Sequence, residues 1–357
     1  MADDPTAIKT SRPAIRVGGK DSESVTGGLL RARVYEDVHG LSNCELEIGN
    51  WGPVEGEHSG FLFFDRGVLD FGKELEFKVA DGTLFKGRIT AIEARFPEGA
   101  PPTVVVLAED RFQDLRMTRR TRAFADVSDA AVASQIAGDH GLTPDVGISG
   151  PTHRVLAQLN QSDLAFLRER ARALDAELWV SDAKLSVQPR GARRSAPLTL
   201  TYGKELREFS VLADLAHQRT SVKVSGWDVS GKRAIEETAD AGVLGGELNG
   251  GDSGPSVLRA AFGERNDGFA NAVPQTGDEA RARAEALLKR RARRFIAGHG
   301  TADSQPGLRV GTTVKLGGLG PLFEGDFYIS GVTHLFDGAL GLRSELSVER
   351  PAIGRPR

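Results

Sequence analysis

Short segments in which apolar and polar residues alternate recur through the first hundred residues of the chain. Apolar residues occupy every second position from Leu30 to Val34 and from Cys44 to Ile48. A period of two is typical of half-buried antiparallel strands. Asp81 and Gly82 predict a tight hairpin turn between two further segments. Further runs lie at residues 75–79, 84–94 and 103–108. This pattern predicts a small barrel or sandwich at residues 1–110.

The period changes in the segment 160–187. Asn160 can cap a helix, and Asp163 places a carboxylate at its positive end. An apolar stripe follows, made of Leu164, Leu167, Ala171 and Leu174 and widened by Phe166. From Leu178 to Val187 the period is two again, interrupted by a polar turn. The segment therefore predicts a capped helix that leads into a hairpin, with Phe166 and Leu167 in a core.

The second half of the chain returns to strands. Strand patterns occupy residues 198–224 and 305–350, and Asp278 begins an amphipathic helix that extends to about Ala297. Residues 229–274 are rich in glycine and weakly periodic, which favours a long loop or partly ordered excursion. The helix spacing favours packing on a sheet, with membrane binding as the alternative.

These patterns predict a mainly β protein with an α+β insertion. Two small antiparallel β-barrels are expected, with an α/β module inserted between them. The expected division is residues 1–110 for the first barrel, 111–190 for the module, 191–228 and 300–350 for the second barrel, 229–299 for the excursion and its packed helix, and 351–357 for a tail.

One internal similarity supports two related barrels. Leu84–Ile92 parallels Leu322–Ser330 at an offset of 238 residues (322 − 84), and each segment follows a glycine turn. Chance similarity between two hairpins is the alternative explanation. The explanation with functional meaning is that the barrel is duplicated.

Composition excludes several classes of protein. The chain has 357 residues, a net charge of −3 and a single cysteine, Cys44. Intramolecular disulfides are therefore impossible, and nothing in the overall charge calls for a polyanionic partner. No signal peptide is recognised at Met1–Pro5, and no apolar run reaches ~18 residues. We expect synthesis in the cytoplasm without membrane insertion.

Motifs for catalysis are absent or incomplete. Residues 251–255 resemble the nucleophile motif of trypsin-like proteases, but no segment for the histidine base accompanies them. The seven histidines lack metal-ligand spacing, and no phosphate-binding loop occurs. A glycosidase would need an acid in a cleft, which sequence cannot show. The arginines between Arg111 and Arg122 are either a nucleic-acid or acidic-partner surface, or else a solvated connector or a set of intramolecular ion pairs. Because no aromatic residues are interleaved, we favour a connector or ion pairs. We expect no catalytic, cofactor or metal site and no sequence-specific nucleic acid.

The helix start, written Asn-Gln-Ser-Asp-Leu-Ala-Phe-Leu, resembles the late control D family of phage baseplate hubs and the hub portion of type VI secretion spike proteins. Gln161 stands where the family has Glu, and Asp175-Ala176 where a glycine often ends the helix. The segment from Gln305 to Leu316, a Gly-x-Phe-Tyr-Ile run and Thr333-His334 are similar to the closing part of these hubs. The residues that carry the resemblance are Asn160, Ser162, Asp163, Phe166, Leu167, Pro306, Gly307, Gly311 and Gly325.

The resemblance implies a structural, non-enzymatic baseplate hub. Such a hub would be a homotrimer that joins a hexameric tail tube to a trimeric spike and contacts tube-initiator and other baseplate proteins. Because the chain ends soon after its last strand, we expect the spike to be a separate polypeptide. The protein would become part of an assembled phage tail or injection particle. A carbohydrate- or protein-binding β protein and a cell-wall hydrolase are the alternatives. Phage, extracellular injection and type VI systems are not distinguished.

Overall fold

Residues 12–38, 40–54, 58–80, 82–271 and 273–355 are described by a computed structural model, and they form a mainly β protein, as predicted. Asp81 of the predicted hairpin turn, His39 and the segment Met1–Pro5 lie outside these residues. Residues 12–110 form the first lobe. Its elements are β1 (Ala14–Val17), β2 (Lys20–Asp21), α1 (Glu23–Gly28), β3 (Leu29–Asp37), β4 (Asn43–Gly49), β5 (Gly52–Pro53), β6 (Ser59–Gly60), β7 (Glu74–Val79), β8 (Gly82–Arg95) and β9 (Thr103–Glu109).

The core of the first lobe contains the residues that the alternation placed inside, with one correction. Cys44, Leu46 and Ile48 are buried as predicted, but Leu30 is exposed and Leu29 is buried in its place. A β-bulge between Leu29 and Arg31 interrupts the register of β3 against β4. An extra residue in one strand reverses the faces on one side of it, and a local pattern does not reveal this.

The module between the lobes has its own core. Its elements are α2 (Phe112–Arg116), β10 (Arg119–Ser128), α3 (Asp129–Asp139), β11 (Thr143–Val146), β12 (Thr152–Ser162), α4 (Asp163–Ala173), β13 (Ala176–Ser181) and β14 (Lys184–Pro189). Phe166 and Leu167 on α4 are buried in this core, and β13 pairs with β14 as the predicted hairpin. In β12, Leu156 is buried while Val155 and Leu159 are exposed.

The remaining chain forms a second lobe and a side unit. The second lobe contains β15 (Leu198–Thr201) and β16 (Leu206–Ala213). The side unit contains β17 (Ser221–Asp228), β18 (Arg233–Asp240), a 3-10 helix (Ala241–Glu247), β19 (Asp252–Ser253), α5 (Gly254–Phe262), β20 (Asn266–Phe269) and α6 (Gly277–Arg293). The second lobe then continues with β21 (Ile296–Asp303), β22 (Thr313–Gly317), α7 (Gly320–Phe323), β23 (Gly325–Asp337), β24 (Gly341–Arg350) and β25 (Ala352–Ile353).

The side unit corrects the prediction of a long loop at residues 229–274. The strand β17, which the sequence assigned to the second barrel, pairs with β18 and β20 instead. Val222 and Val224 of β17 pack against Ala284 and Leu288 of α6 in a separate core. The segment looked weakly periodic because its helices and strands are short and are separated by glycines, so no window is long enough to show a period.

The two lobes share one sheet. Thirteen of the described strands belong to it, and its main path runs β16-β21-β24-β23-β3-β4-β9-β8-β7-β1-β2, with β22 and β15 continuing beside β23. The lobes are joined where β3 pairs with β23 in antiparallel register from Asp37 opposite Gly331 to Arg31 opposite Asp337. Among the described strands this path has two ends and forms no closed barrel, so the two barrels remain a prediction.

Five strands of the first lobe repeat five strands of the second. In the first lobe the neighbours run β3-β4-β9-β8-β7, and in the second they run β16-β21-β24-β23-β22. The strands follow the same order along the chain in both lobes, and every pair within these two paths is antiparallel. Two unrelated hairpins would not reproduce a five-strand path, so the lobes are structural repeats.

The repeat extends to the register. The strands β8 and β23 bond their neighbours β9 and β24 at positions that differ by 240 residues (329 − 89), with a bulge after Ile89 in one and after Ile329 in the other. Ile89 exchanges two backbone hydrogen bonds with Gly72 and Lys73, and Ile329 does the same with Gly311 and Thr312. The offset of 238 from the sequence is therefore two residues short. A shift of two leaves every side chain on the same face of a strand, which is why the apolar pattern did not reveal it.

No helix among the described residues has the length and apolar character needed to cross a bilayer.

Leu167→Ala should lower the free energy of unfolding by ~2–5 kcal/mol, because it removes a fully buried side chain from the core of the module. Leu159→Ala is the matched control, since Leu159 is 66% exposed. Urea denaturation of the purified chain measures both. Equal midpoints for Leu167→Ala and the unaltered chain would contradict the placement of α4.

Candidate functional site

The start of α4, which carries much of the sequence signature, is capped differently from the prediction. The N-cap is Ser162, whose Oγ accepts a hydrogen bond from the Ala165 amide at 3.2 Å. Asn160 still belongs to β12, where its amide donates to Thr121 Oγ1 and its φ is +48°. The pairing of β12 with β10 continues to Ser162, so the helix cannot begin earlier.

Asp163 is a buried anchor for several elements of the module. Its carboxylate accepts hydrogen bonds from Arg122 at 2.8 Å and Gln158 at 2.9 Å, and His140 Nε2 lies 2.8 Å away. Burial alone would raise the pKa of Asp163, but the hydrogen bonds from His140 and Gln158 and the charge of Arg122 outweigh it and lower the pKa. A carboxylate committed to so many donors holds β10, β12 and α3 around the helix start. Its role is structural.

The C-terminal signature residues shape loops of the second lobe. Gly311 has a φ of +86° and Gly325 a φ of +129°, conformations that favour glycine. Pro306 lies against Gly82 of the first lobe, where an added Cβ would come within 2.4 Å of the proline. Gly307 has open space around it, and nothing in the structure explains a glycine there. Three of the four residues therefore fix turns or the contact between lobes.

A buried carboxylate at the junction of the lobes was not predicted from the sequence. Glu36 of β3 is 7% exposed and accepts hydrogen bonds from Arg193 at 2.7 Å, Arg309 at 3.0 Å and the Val310 amide at 3.2 Å. Burial would raise the pKa of Glu36, but the charges of Arg309 and Arg193 outweigh it and lower the pKa to about 2. Continuing the alternation from Ala32 and Val34 places Glu36 on the inner face, so the sequence pattern could have predicted that this carboxylate is buried.

A second buried network fixes the side unit to the module. The ring of His153 lies between Asp129 Oδ2 at 2.8 Å and Glu279 of α6, while Arg170 pairs with Asp129. Hydrogen bonds to Asp129 and Glu279 raise the pKa of His153 to about 9. The residues come from four distant segments, so no local motif could have identified them.

The chemical candidates from the sequence are occupied by structural contacts. Ser253 caps α5 and is buried, and Asp252 pairs with Arg355. Within the described residues no group of three or more His, Cys, Asp or Glu side chains could hold a metal ion. Most of the arginines at 111–122 form ion pairs within the chain: Arg111 with Asp114, Arg116 with Glu109, Arg120 with Asp163, and Arg122 with both Asp139 and Asp163.

A cavity of about 510 Å³ lies between α4, α6 and the second lobe. It contains Glu177, whose pKa is raised by burial and which accepts a hydrogen bond from Tyr328. The neighbouring carboxylates are already paired, Asp175 with Arg293 and Glu349 with Arg190 at 2.8 Å. Glu177 is therefore a buried carboxyl group with a raised pKa, and the carboxylates of Asp175 and Glu349 beside it are both ion-paired.

Exposed aromatic residues cluster beside the end of β8. The rings of Trp51, Phe61, Phe64 and Phe96 lie 5.0–6.1 Å apart in successive pairs. Phe96 is 65% exposed, and Trp51 and Phe61 are about half exposed. Contiguous apolar surface of this kind marks a contact site for another molecule. The cluster is the candidate functional surface of the first lobe.

Comparison with known proteins identifies one matching family and several solved structures with a similar fold. The family model of the Alg8 N-terminal domain matches residues 24–337. The fold is similar to the 43 kDa tail protein of prophage MuSo2 from Shewanella oneidensis, with a TM-score of 0.70 and 15% identity over 95% of this chain and 98% of that one. A tail protein from Neisseria meningitidis gives 0.68 and 13% over 95% and 96%.

A component of the type VI secretion system of Escherichia coli, described as similar to the T4 tail proteins gp27 and gp5, gives a TM-score of 0.60 and 13% identity over 96% of this chain and 79% of that one. No curated protein matches the sequence. At these identities the similarity establishes a fold, and that fold is shared with phage tail and type VI components.

Glu36→Gln should destabilise the chain by ~3–5 kcal/mol at pH 7, because Arg193 and Arg309 lose a buried counter-charge. The folded-state pKa of about 2 lies below the ordinary value of 4.5. This contribution is therefore complete above ordinary glutamate pKa values and is lost as the pH falls towards 2. Denaturation at pH 7 and pH 3 should show the difference from the unaltered chain shrinking in acid. The control is Glu98→Gln in an exposed loop; a pH-independent difference would refute the account.

Proposed function

The chain belongs to the family of the Alg8 N-terminal domain and has the fold of phage tail proteins, and from this premise we propose that it is a structural baseplate hub. It joins the hexameric inner tube of a contractile tail, or of a related injection system, to a trimeric spike. The protein acts as a homotrimer within the assembled particle.

The observation that carries this proposal is the five-strand path that the two lobes share. Three chains with two equivalent lobes each provide six similar surfaces while keeping true threefold symmetry. Such a ring can offer near-equivalent contacts to six tube subunits on one side and to three spike subunits on the other. One lobe per chain could not satisfy both symmetries with three copies.

The lobes act as two small barrels of the tube type, and the module at about residues 111–190 is inserted between them. Their separate cores support this division. The side unit, at residues 221–293, lies beside the second barrel, to which the pairing of β19 with β25 joins it.

The signature residues support a relationship to the late control D hubs. Phe166 and Leu167 lie in the core of the module, and Asp163 holds the helix start through its hydrogen bonds. Gly311 and Gly325 shape the second lobe. By this relationship the partners are a separate spike protein, the inner tube or its initiator, and other baseplate proteins. The protein is made in the cytoplasm and then becomes part of the particle.

The proposed role is not catalytic, and two alternatives have specific observations in their favour. The raised pKa of Glu177 in its cavity favours a cell-wall hydrolase; hydrolysis of peptidoglycan by the purified chain, lost in Glu177→Gln, would establish it. The aromatic cluster around Phe61 favours a carbohydrate- or protein-binding β protein. Secretion of the unassembled chain would favour that alternative.

Electron microscopy of the purified particle tests the proposal. We expect three copies of this chain in one ring between tube and spike, with both lobes facing the tube. Mass measurement of the free chain is no substitute, since tube or spike can complete the interface. Six copies per ring, one lobe per chain at the tube, or absence of the chain from the particle would refute the proposal.

A further inference from the structure

The two halves of β23 pair with different strands on one side. Among the described strands, its equivalent in the first lobe, β8, has a pairing strand on that side along its first half only. The first half of β23 pairs with β22, and its second half, from Gly331, pairs with β3 of the other lobe. In the first lobe β8 pairs with β7 through its first half. Its second half, from Ala91, continues beside β9. On the other side of this half no strand lies among the described residues.

The free backbone groups of this edge can be identified. Alternate residues of a strand bond to opposite neighbours. In the repeat, Val38 donates to the carbonyl of Ser330, so Val332 and His334 direct their backbone groups towards β3. Ile92 and Ala94 are their equivalents at the offset of 240. Their N–H and C=O groups therefore point to the open side of β8.

The strand that would fill this edge is also present in each chain. The second-lobe equivalent of β3 is β16, and the two strands share their register against β4 and β21, including a bulge after Leu29 and after Leu206. Their offset is 177 residues (206 − 29). The inner strand β3 has a neighbour on both sides. Among the described strands, β16 pairs only with β21 and ends the path of the sheet.

We propose that residues 91–96 of one copy pair antiparallel with β16 of a second copy, repeating between chains the contact that β23 makes with β3 inside the chain. This strand pairing deepens the proposed function, because the expectation of a closed ring of three copies comes from that proposed function. Carrying over both offsets places Glu93 opposite Leu212 and Ala94 opposite Val211, as Thr333 lies opposite Tyr35 and His334 opposite Val34. Both strands are free edges, and exposed edges of this kind are the surfaces that proteins use for strand addition.

The side chains at the edge support a second copy as its occupant. Phe336 of the second lobe packs against the core of the first lobe. Its repeat equivalent Phe96 is 65% exposed and belongs to the aromatic cluster beside the free edge. In the proposed register Phe96 lies opposite Phe209, and aromatic cross-strand pairs stabilise antiparallel sheets. On β16, Leu212 is 63% exposed.

This contact is heterologous, because it joins different surfaces of the two copies. Contacts of this kind close into a ring when the rotation between copies permits it and otherwise form filaments. The two edges cannot meet within one chain along the sheet, since six strands separate β16 from β8. Each added copy therefore leaves one free edge of each kind until the ring closes.

Disulfide trapping tests the register directly. Glu93→Cys and Leu212→Cys are introduced together into the full chain, since their repeat equivalents form a non-hydrogen-bonded pair whose short Cα separation suits a disulfide. The native Cys44 is buried and does not interfere. Oxidation of the concentrated protein should give a covalent trimer on a non-reducing gel. The matched control, Glu93→Cys with Glu208→Cys, moves one cysteine four residues along β16, roughly 13 Å, and should give at least tenfold less product.

A proline variant separates strand pairing from simple proximity. Ala94→Pro removes one donor at the open edge without removing a bond to β9, and edge strands tolerate such a proline. In the double-cysteine background it should reduce the trimer at least tenfold with an unchanged thermal midpoint, whereas Ala94→Ser, which keeps the N–H, should not.

Equal cross-linking of the two cysteine pairs, or undiminished cross-linking with Ala94→Pro, would overturn the proposal. A ladder extending beyond three chains would overturn the closed ring. A particle with three copies per ring but no cross-link at this pair would refute the strand pairing and leave the hub function standing. Covalent trimers of a chain that is absent from particles would support the strand pairing and refute the hub function.

Discussion

The pairing of β3 with β23 is the constraint on which the rest of the structure depends. It converts two lobes with separate cores into one sheet and fixes their relative position through seven opposed residue pairs. The same contact buries Glu36, whose charge is balanced by Arg193 from the segment after the module and Arg309 from the second lobe. Three distant parts of the chain thus meet at one carboxylate, and a buried charge left without either arginine would be costly.

The repeat of the lobes means that strand edges equivalent to this junction are also present elsewhere in the chain. Each lobe has one strand edge that can take a neighbouring strand and one strand that can occupy such an edge. Among the described strands only one contact of this kind is made within the chain. The open half of β8, the free strand β16 and the exposed Phe96 are then the unmatched ends of a repeating pattern. The proposed assembly role would account for these features together, whereas the carboxylates beside Glu177 are ion-paired and Ser253 caps α5.

The sequence predicted what local patterns determine. Alternation identified the strands around Cys44 and Leu346, and the apolar stripe placed Phe166 and Leu167 in a core. Errors arose where distant contacts decide: the bulge that buries Leu29 instead of Leu30, the strand pairing that delays the helix cap to Ser162, and the partners of β17. Asp163 was identified as a helix-start residue, but its hydrogen-bond partners Arg122 and His140 become its neighbours only on folding. Glu36 and His153 were missed for the same reason.

Hydrogen–deuterium exchange, compared between the dilute chain and the assembled ring, tests the equivalence of the two junctions most directly. The amides of Val332 and His334 lie within the pairing with β3, so they should exchange slowly in both states. The amides of Ile92 and Ala94 should exchange fast in the dilute chain and become as protected as their equivalents in the ring. Fast exchange at Ile92 and Ala94 in the assembled ring would contradict the account.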